Sequence, residues 1–397
     1  MHVSDARKRK CHHRRFGAGP SPPPPSKSGI FRVKPTPRMG LKLGGRYEIV
    51  GLLDCGGTSE VYLAKDALAP LPVIVKMLTE EAARDMQHRE RFILGARSSM
   101  NLEHPAIARV FSVEIPPNEP PYLVMEALRG ESLAEYLVRE KKMSQPMALA
   151  LACEVASGLV AAHKAGIIHR DIKPGNLYLV GPPGAPRCIK IIDFGLSKDL
   201  RNVGYGPASL NLVLGTAQYM APEQVLADPV DERTDMYAFG VVLFGMLTGA
   251  LPFGLRPGID LFCQHLFSPA PHPSSFLQDV DPRLEQLILR CLRKHPENRY
   301  ESMQELLDEL IDIGSHPMAN TGEVSVAALK RLPDVYIPRS SKGSGVAEDL
   351  ARHFESEATP LSIPQRKSES ESESESESED TVNESVFKVV KEPPSTK

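Results

Sequence analysis

The sequence predicts an α+β chain in which a strand-rich lobe is followed by a helix-rich lobe, with charged, low-complexity tails at both ends. Three observations carry that expectation. Short β-branched and apolar runs at 47–53, 61–64 and 72–77 come first, and long helical periodicities dominate after residue 130. Strands and helices segregated in this way pack as two subdomains with a cleft between them. The charge is also partitioned, with 12 basic and 1 acidic side chains in residues 1–46, 25 and 34 in 47–313, and 10 and 15 in 314–397. The net charges of +11, -9 and -5 mark three physical regions behind a total of only -3.

Each region has its own physical reason. Residues 1–45 are basic, rich in Pro and Ser, and lack a sustained apolar period, so a disordered head is expected. Residues 46–314 hold the folded domain, because a 397-residue chain with 41% apolar side chains can bury a substantial core and the strand and helix periodicities fall in this stretch. Within it a helix is predicted over 80–101 and a buried strand over 122–126. Further helices are predicted over 133–139, 146–164, 236–248 and 302–313. Residues 315–397 form an acidic tail in which 368–380 alternates Ser and Glu with no apolar face to bury, so disorder is expected there too.

Composition also excludes classes. A balance of 47 basic against 50 acidic residues argues against a globally basic nucleic-acid binder. The six cysteines form no Cys-x-x-Cys pair, which points to a reducing compartment rather than a disulfide framework or zinc ribbon. The N-terminus has no apolar run behind its charges, so no secretory signal is expected. Residues 236–253 are free of charge and reach the lower edge of membrane-spanning length, but they contain Gly240, Gly245, Gly249 and Pro252.

The chemistry concentrates in three ordered motifs. His169-Arg170-Asp171-Ile172-Lys173-Pro174-Gly175-Asn176 is followed, after a short strand pair, by Asp193-Phe194-Gly195. Gly215-Thr216 then precedes Tyr219-Met220-Ala221-Pro222-Glu223. With Lys76 in Val73-Ile74-Val75-Lys76, these resemble the catalytic loop, metal loop and activation-segment end of protein kinases. The wording is most similar to the bacterial branch of the eukaryotic-type (Hanks-type) serine/threonine kinases, over about 47–313.

The resemblance implies a bilobal protein-kinase-like fold and transfer of the ATP γ-phosphate to protein Ser/Thr hydroxyls. Asp171 would orient the substrate hydroxyl, and Lys173 would reach the transferring phosphate. Asn176 and Asp193 would supply oxygen ligands to Mg2+, and Lys76 would meet the upstream phosphates. Leu53, Val61 and Ile74 would sandwich the base, Met125 would back the pocket, and the backbones of Glu126 and Leu128 would pair with the adenine edge. Asp235 would tie the catalytic loop to a central helix, and Arg299 would pair with Glu223. Residues 236–248 then become the buried helix of the larger lobe and leave no other candidate span, so a cytoplasmic protein is expected. Ser209 is the expected activating phosphate acceptor, ahead of Ser197 and Tyr205, while Thr216 orders the substrate site. The expected partners are protein substrates, basic ones included, and the protein's own head through autophosphorylation at Ser21, Ser26, Ser28 or Thr36.

Two positions depart from the family pattern. In the phosphate-covering loop, Asp54-Cys55-Gly56-Gly57-Thr58-Ser59 keeps only Gly56 of three expected glycines, with Gly57 beside it. In the small-lobe helix, Gly95 stands where the family has Glu. Arg91, Phe92, Ser98 and Ser99, one turn away, are not acidic, and Glu90 lies about 140° around the helix. A nucleotide-binding pseudokinase or signalling scaffold is therefore the alternative reading.

Overall fold

The computed structural model describes residues 31, 33–181, 188–194, 217–254 and 259–316. The first lobe is built on a six-stranded antiparallel sheet of order β1-β2-β3-β4-β6-β5. Its strands are β1 (Lys42–Leu43), β2 (Tyr47–Cys55), β3 (Ser59–Asp66), β4 (Pro72–Leu78), β5 (Val110–Glu114) and β6 (Tyr122–Glu126). Side chains alternate across a strand, and here the alternation gives the sheet two apolar faces. Tyr62, Ala64, Val73, Val75, Met77, Tyr122 and Val124 pack on one. Val61, Leu63, Ile74, Leu123 and Met125 pack on the other, together with the helix residues Phe92 and Ala96. Lys76 shares the parity of Ile74, so its chain leaves the sheet on this second face.

The helix predicted over 80–101 is two helices, α1 (Glu80–Arg84) and α2 (Met86–Met100). Asp85 separates them in an extended conformation, and its carboxylate accepts the N–H groups of Gln87 and His88 at the start of α2. An Asp N-cap of this kind outweighs helix continuity. Strand β5 has no clean alternation in the sequence and holds an exposed Phe111, which is why no strand was expected there.

The head also needs correction. Residues 33–45, assigned from composition to a disordered region, lie along the sheet. Lys34 and Leu52 form a two-way backbone bridge, Leu43 is 1% exposed, and Val33 crosses so close to Gly51 that a Cβ there would meet it at 2.8 Å. Hydrogen bonding to a sheet edge orders this segment despite its basic composition.

The second lobe carries a three-stranded sheet, β7 (Gly130–Ser132), β8 (Leu177–Val180) and β9 (Cys188–Ile191). Around it lie α3 (Leu133–Glu140), α4 (Gln145–Lys164), α5 (Pro222–Val225), α6 (Glu232–Thr248), α7 (Ile259–Phe267), α8 (Pro282–Cys291) and α9 (Met303–Ser315). The uncharged run at 236–248 lies in α6, where every residue from Thr234 to Leu247 is buried, so its apolarity is explained by a core. The expectation that it is the only candidate span is corrected by α4, the one described helix long and apolar enough, by length and composition, to cross a membrane. Its buried side chains, among them Leu151, Val155 and Leu159, instead join the core of this lobe with Leu306 and Leu310 of α9. Gly240 marks the closest crossing of α6 and α8, because a Cβ there would meet that of Cys291 at 2.6 Å.

Candidate active site

The site lies where three loops meet between the lobes, and the first is held by backbone hydrogen bonds to a buried carboxylate. Asp235, fully buried near the start of α6, accepts the N–H groups of His169 at 2.8 Å and Arg170 at 2.7 Å. It also accepts a hydrogen bond from His163 Nε2 of α4 at 2.8 Å. Charge-assisted bonds of this kind are the strong class, and they hold Arg170 at φ 66, a costly conformation for a residue with a Cβ. Gln224 of α5 adds a bond from its side-chain amide to the Arg170 carbonyl at 2.9 Å.

These anchors present Asp171, Lys173 and Asn176 together. Lys173 Nζ reaches both Asp171 carboxylate oxygens, at 2.7 and 3.0 Å. The Asn176 amide nitrogen donates to the Asp171 carbonyl at 2.8 Å and to its Oδ2 at 2.9 Å. With that nitrogen facing Asp171, the Asn176 oxygen is the atom left for a cation.

The second loop follows β9. Ile192 N donates to the Asn176 carbonyl at 3.0 Å, and His169 Nε2 meets the Ile192 carbonyl at 2.9 Å. The His169 ring packs edge-on against Phe194, with centroids 4.7 Å apart. Asp193, at φ 67, ion-pairs with Lys76 across the cleft at 2.7 Å. Burial pushes the Asp193 carboxyl up, but the charge and hydrogen bond of Lys76, with His169 and Lys173 nearby, more than offset it and hold the group below the usual carboxylate range.

Lys76 thus finds its carboxylate in Asp193. Among the described residues no acid of α2 pairs with it; Gly95 sits on the buried face of the helix and Glu90 is exposed. The loop with the altered glycines is a tight turn between β2 and β3, in which Gly56 N donates to Ser59 O at 2.8 Å. Neither Gly56, Gly57 nor Ser59 has positive φ, so the turn fits the serine at position 59. Asp54 is exposed, and its carboxylate accepts the neighbouring Cys55 N–H at 2.9 Å.

Leu53, Val61, Ile74, Met125 and Leu128 all belong to the one apolar layer under the first sheet, and Ile74 and Met125 face each other in the β4–β6 register. Sequence reasoning missed the side chain of Glu126. It pairs with Lys190 of β9 at 2.6 Å and accepts the Arg109 N–H at 2.7 Å, which ties the inter-lobe connection to the strand leading into Asp193. Nothing local in the sequence signals that pair, because its partners are 64 residues apart. Below the site, Arg299 and Glu223 form a buried two-point ion pair at 2.8 and 2.9 Å, and Thr234 donates to the same carboxylate. Ser209, Thr216, Ser197 and Tyr205 lie outside the described residues, as do Gly195 and Gly215.

Two lobes with a lysine strand above and paired Asp-bearing loops below define a phosphotransferase architecture. The Protein kinase domain family matches residues 47–310, and the chain belongs to that family. It is 35% identical over 274 residues to the serine/threonine-protein kinase PknB of Mycobacterium tuberculosis (strain ATCC 25618 / H37Rv), covering 68% of this chain and 43% of that protein. It is 32% identical over 295 residues to a probable serine/threonine-protein kinase PknB of Corynebacterium glutamicum, covering 72% of this chain and 45% of the relative. The chain therefore spans less than half the length of these curated relatives. Among solved structures, it resembles the kinase domain of M. tuberculosis PknI with a TM-score of 0.55 at 26% identity, over 70% of this chain and 98% of that one.

Proposed function

We propose that this chain is a serine/threonine protein kinase that transfers the ATP γ-phosphate to protein hydroxyls. The observation that carries the reading is the convergence of Asp171, Lys173 and Asn176 on one another, beside an Asp193 already paired with Lys76. Similarity to proteins named serine/threonine-protein kinase supports the same class.

The residues fit Mg2+. The donor set is one amide oxygen, from Asn176, and one carboxylate held ionised, Asp193. Mg2+ prefers few protein oxygens and keeps waters and substrate phosphates as its other ligands. When bound, the ion would neutralise phosphate charge. The remaining work falls to the chain. Asp171 accepts the hydrogen bond of the substrate hydroxyl and aims it in line with the phosphate, and Lys173 leaves Asp171 to meet the phosphate oxygens. Lys76 divides its charge between Asp193 and the upstream phosphates. Leu53, Val61, Ile74 and Met125 bury the base, with the backbones of Glu126 and Leu128 at its polar edge. Gly56 and Gly57 allow the β2–β3 turn to approach the phosphates.

For regulation, Ser209 is the proposed phosphate acceptor, with Arg170 as its cationic partner, and Thr216 orders the substrate hydroxyl. The acidic body, net -9, favours basic substrates, including the +11 head as an autophosphorylation target in a cytoplasmic setting. Phosphopeptide mapping of the autophosphorylated protein is expected to find Ser209, and maps with other sites but never Ser209 would refute that assignment.

The decisive test is phosphate incorporation with Mg2+ and ATP, into the protein itself and a generic basic substrate. Asp171→Asn is expected to lower it by about 100-fold or more, the scale of losing a positioned general base. Equal incorporation by both proteins sinks the enzyme reading.

A further inference from the structure

We propose that Ser99 is a positioning residue for Asp193, a hydroxyl latch by which helix α2 holds the 192–194 loop in place of the acid that Gly95 lacks. The inference rests on the kinase reading for its metal readout, and its geometry stands independently.

Ser99 is 6% exposed on the inner face of α2. Its Oγ lies 2.7 Å from the carbonyl oxygen of Phe194 and 2.8 Å from that of Gly95, one turn back on its own helix. A hydroxyl has one proton to donate, so two carbonyls compete for it at nearly equal distance. Bound to Gly95 O, it makes the back-bond that serines commonly make within helices. Bound to Phe194 O, it crosses between lobes and fixes the carbonyl of the residue that follows Asp193.

The fallback acceptor matters energetically. A buried donor left without a partner costs its full desolvation, and here release of the loop leaves none, because the proton returns to Gly95 O. The latch can open without that penalty and close again as the loop returns. The other bonds to this loop come from elsewhere: His169 and the Asn176 carbonyl hold Ile192, and Lys76 holds Asp193. Among the described residues, Ser99 is the hydrogen bond that reports the position of α2 to the loop.

The test uses the full chain with Ser99→Ala, Ser99→Cys and Ser99→Thr. Thr keeps the hydroxyl, whereas Cys keeps roughly the volume with only a weak donor. Two readouts need no turnover. One is amide hydrogen exchange of residues 192–194 in nucleotide-free protein, and the other is Mn2+ binding with a non-hydrolysable ATP analogue, followed by electron paramagnetic resonance. Ala and Cys are expected to speed exchange and weaken Mn2+ binding by about 2- to 12-fold, the worth of one neutral hydrogen bond, while Thr stays near wild type.

Wild-type behaviour of Cys overturns the latch in favour of simple packing. Exchange and Mn2+ binding unchanged in Ala overturn it as well, and so does faster exchange spread over the whole chain rather than confined to α2 and 192–194. If Thr does not fold, the contrast between Cys and wild type still decides. Absence of Mn2+–nucleotide binding in the wild type would count against the kinase reading, while the exchange measurement still decides the latch.

Discussion

Asp235 anchors the 169–176 loop from outside it. One carboxylate, with no access to water, receives two backbone N–H groups and an imidazole, and those bonds position Asp171 by fixing the two residues before it. Asn at this position keeps the shape but places an amide N–H group against donors. Hydrogen bonds to a charged group contribute about 1.5–3 kcal/mol, so Asp235→Asn should lower kcat by roughly 10- to 150-fold. The KM for ATP should change far less, because Lys76 and the base pocket lie on the other side of the cleft. Steady-state kinetics with ATP varied separates the two. The resemblance already implied its tie to the 169–176 loop, whereas the bond from His163 of α4 was not legible in the sequence.

The elements show where local chemistry decides and where it is overruled. Apolar runs in β2, β3, β4 and β6 produce strands because both faces of the sheet are buried, one in the cluster that includes Phe92 and Ala96 of α2 and the other in the cluster of Tyr62, Met77 and Tyr122. The helix expected to run unbroken over 80–101 is split by a single cap. Asp85→Ala removes two bonds to the start of α2, and caps of this type contribute about 0.5–2 kcal/mol. The expected outcome is a loss of that size in denaturant unfolding, with α1 more free to merge into α2. Residues 33–45 show the opposite case, in which basic composition suggests disorder and a sheet edge supplies order through Lys34–Leu52 bonding and the burial of Leu43. Composition cannot register that, because the stabilising partner is another strand.

Across the whole molecule, burial of polar groups in the second lobe sets a pH signature. His265 is enclosed by Tyr237, whose hydroxyl meets its Nδ1 at 2.9 Å, by the Phe253 ring and by the nearby charge of Lys294. Burial first, and the Lys294 charge second, lower its pKa to about 3. In the unfolded chain a histidine binds its proton near pH 6.5. The unfolded state therefore holds one more proton between about pH 6.5 and 3, and stability is complete above that window and lost as pH falls through it. The contribution is about 1.4 kcal/mol per pH unit. Denaturant titrations from pH 7 to 4 should show this slope, and His265→Gln should flatten it whatever its effect at pH 7. A slope equal in both proteins contradicts the assignment.

The sequence by itself determined the class of fold and the order of the chemical motifs. It could do so because periodicity and short loops such as 169–176 are local: neighbours along the chain supply the spacing that the chemistry needs. It also exposed the two departures, at Asp54–Ser59 and at Gly95, as missing residue types. The contacts around the site were decided only in three dimensions. Lys76 takes Asp193 as its carboxylate, Ser99 meets the Phe194 carbonyl 95 residues away, and Glu126 meets Lys190 across 64. Hydrogen bonds and ion pairs form wherever packing brings donors to acceptors, and that proximity arises from the closing of two lobes rather than from any pattern along one stretch of chain.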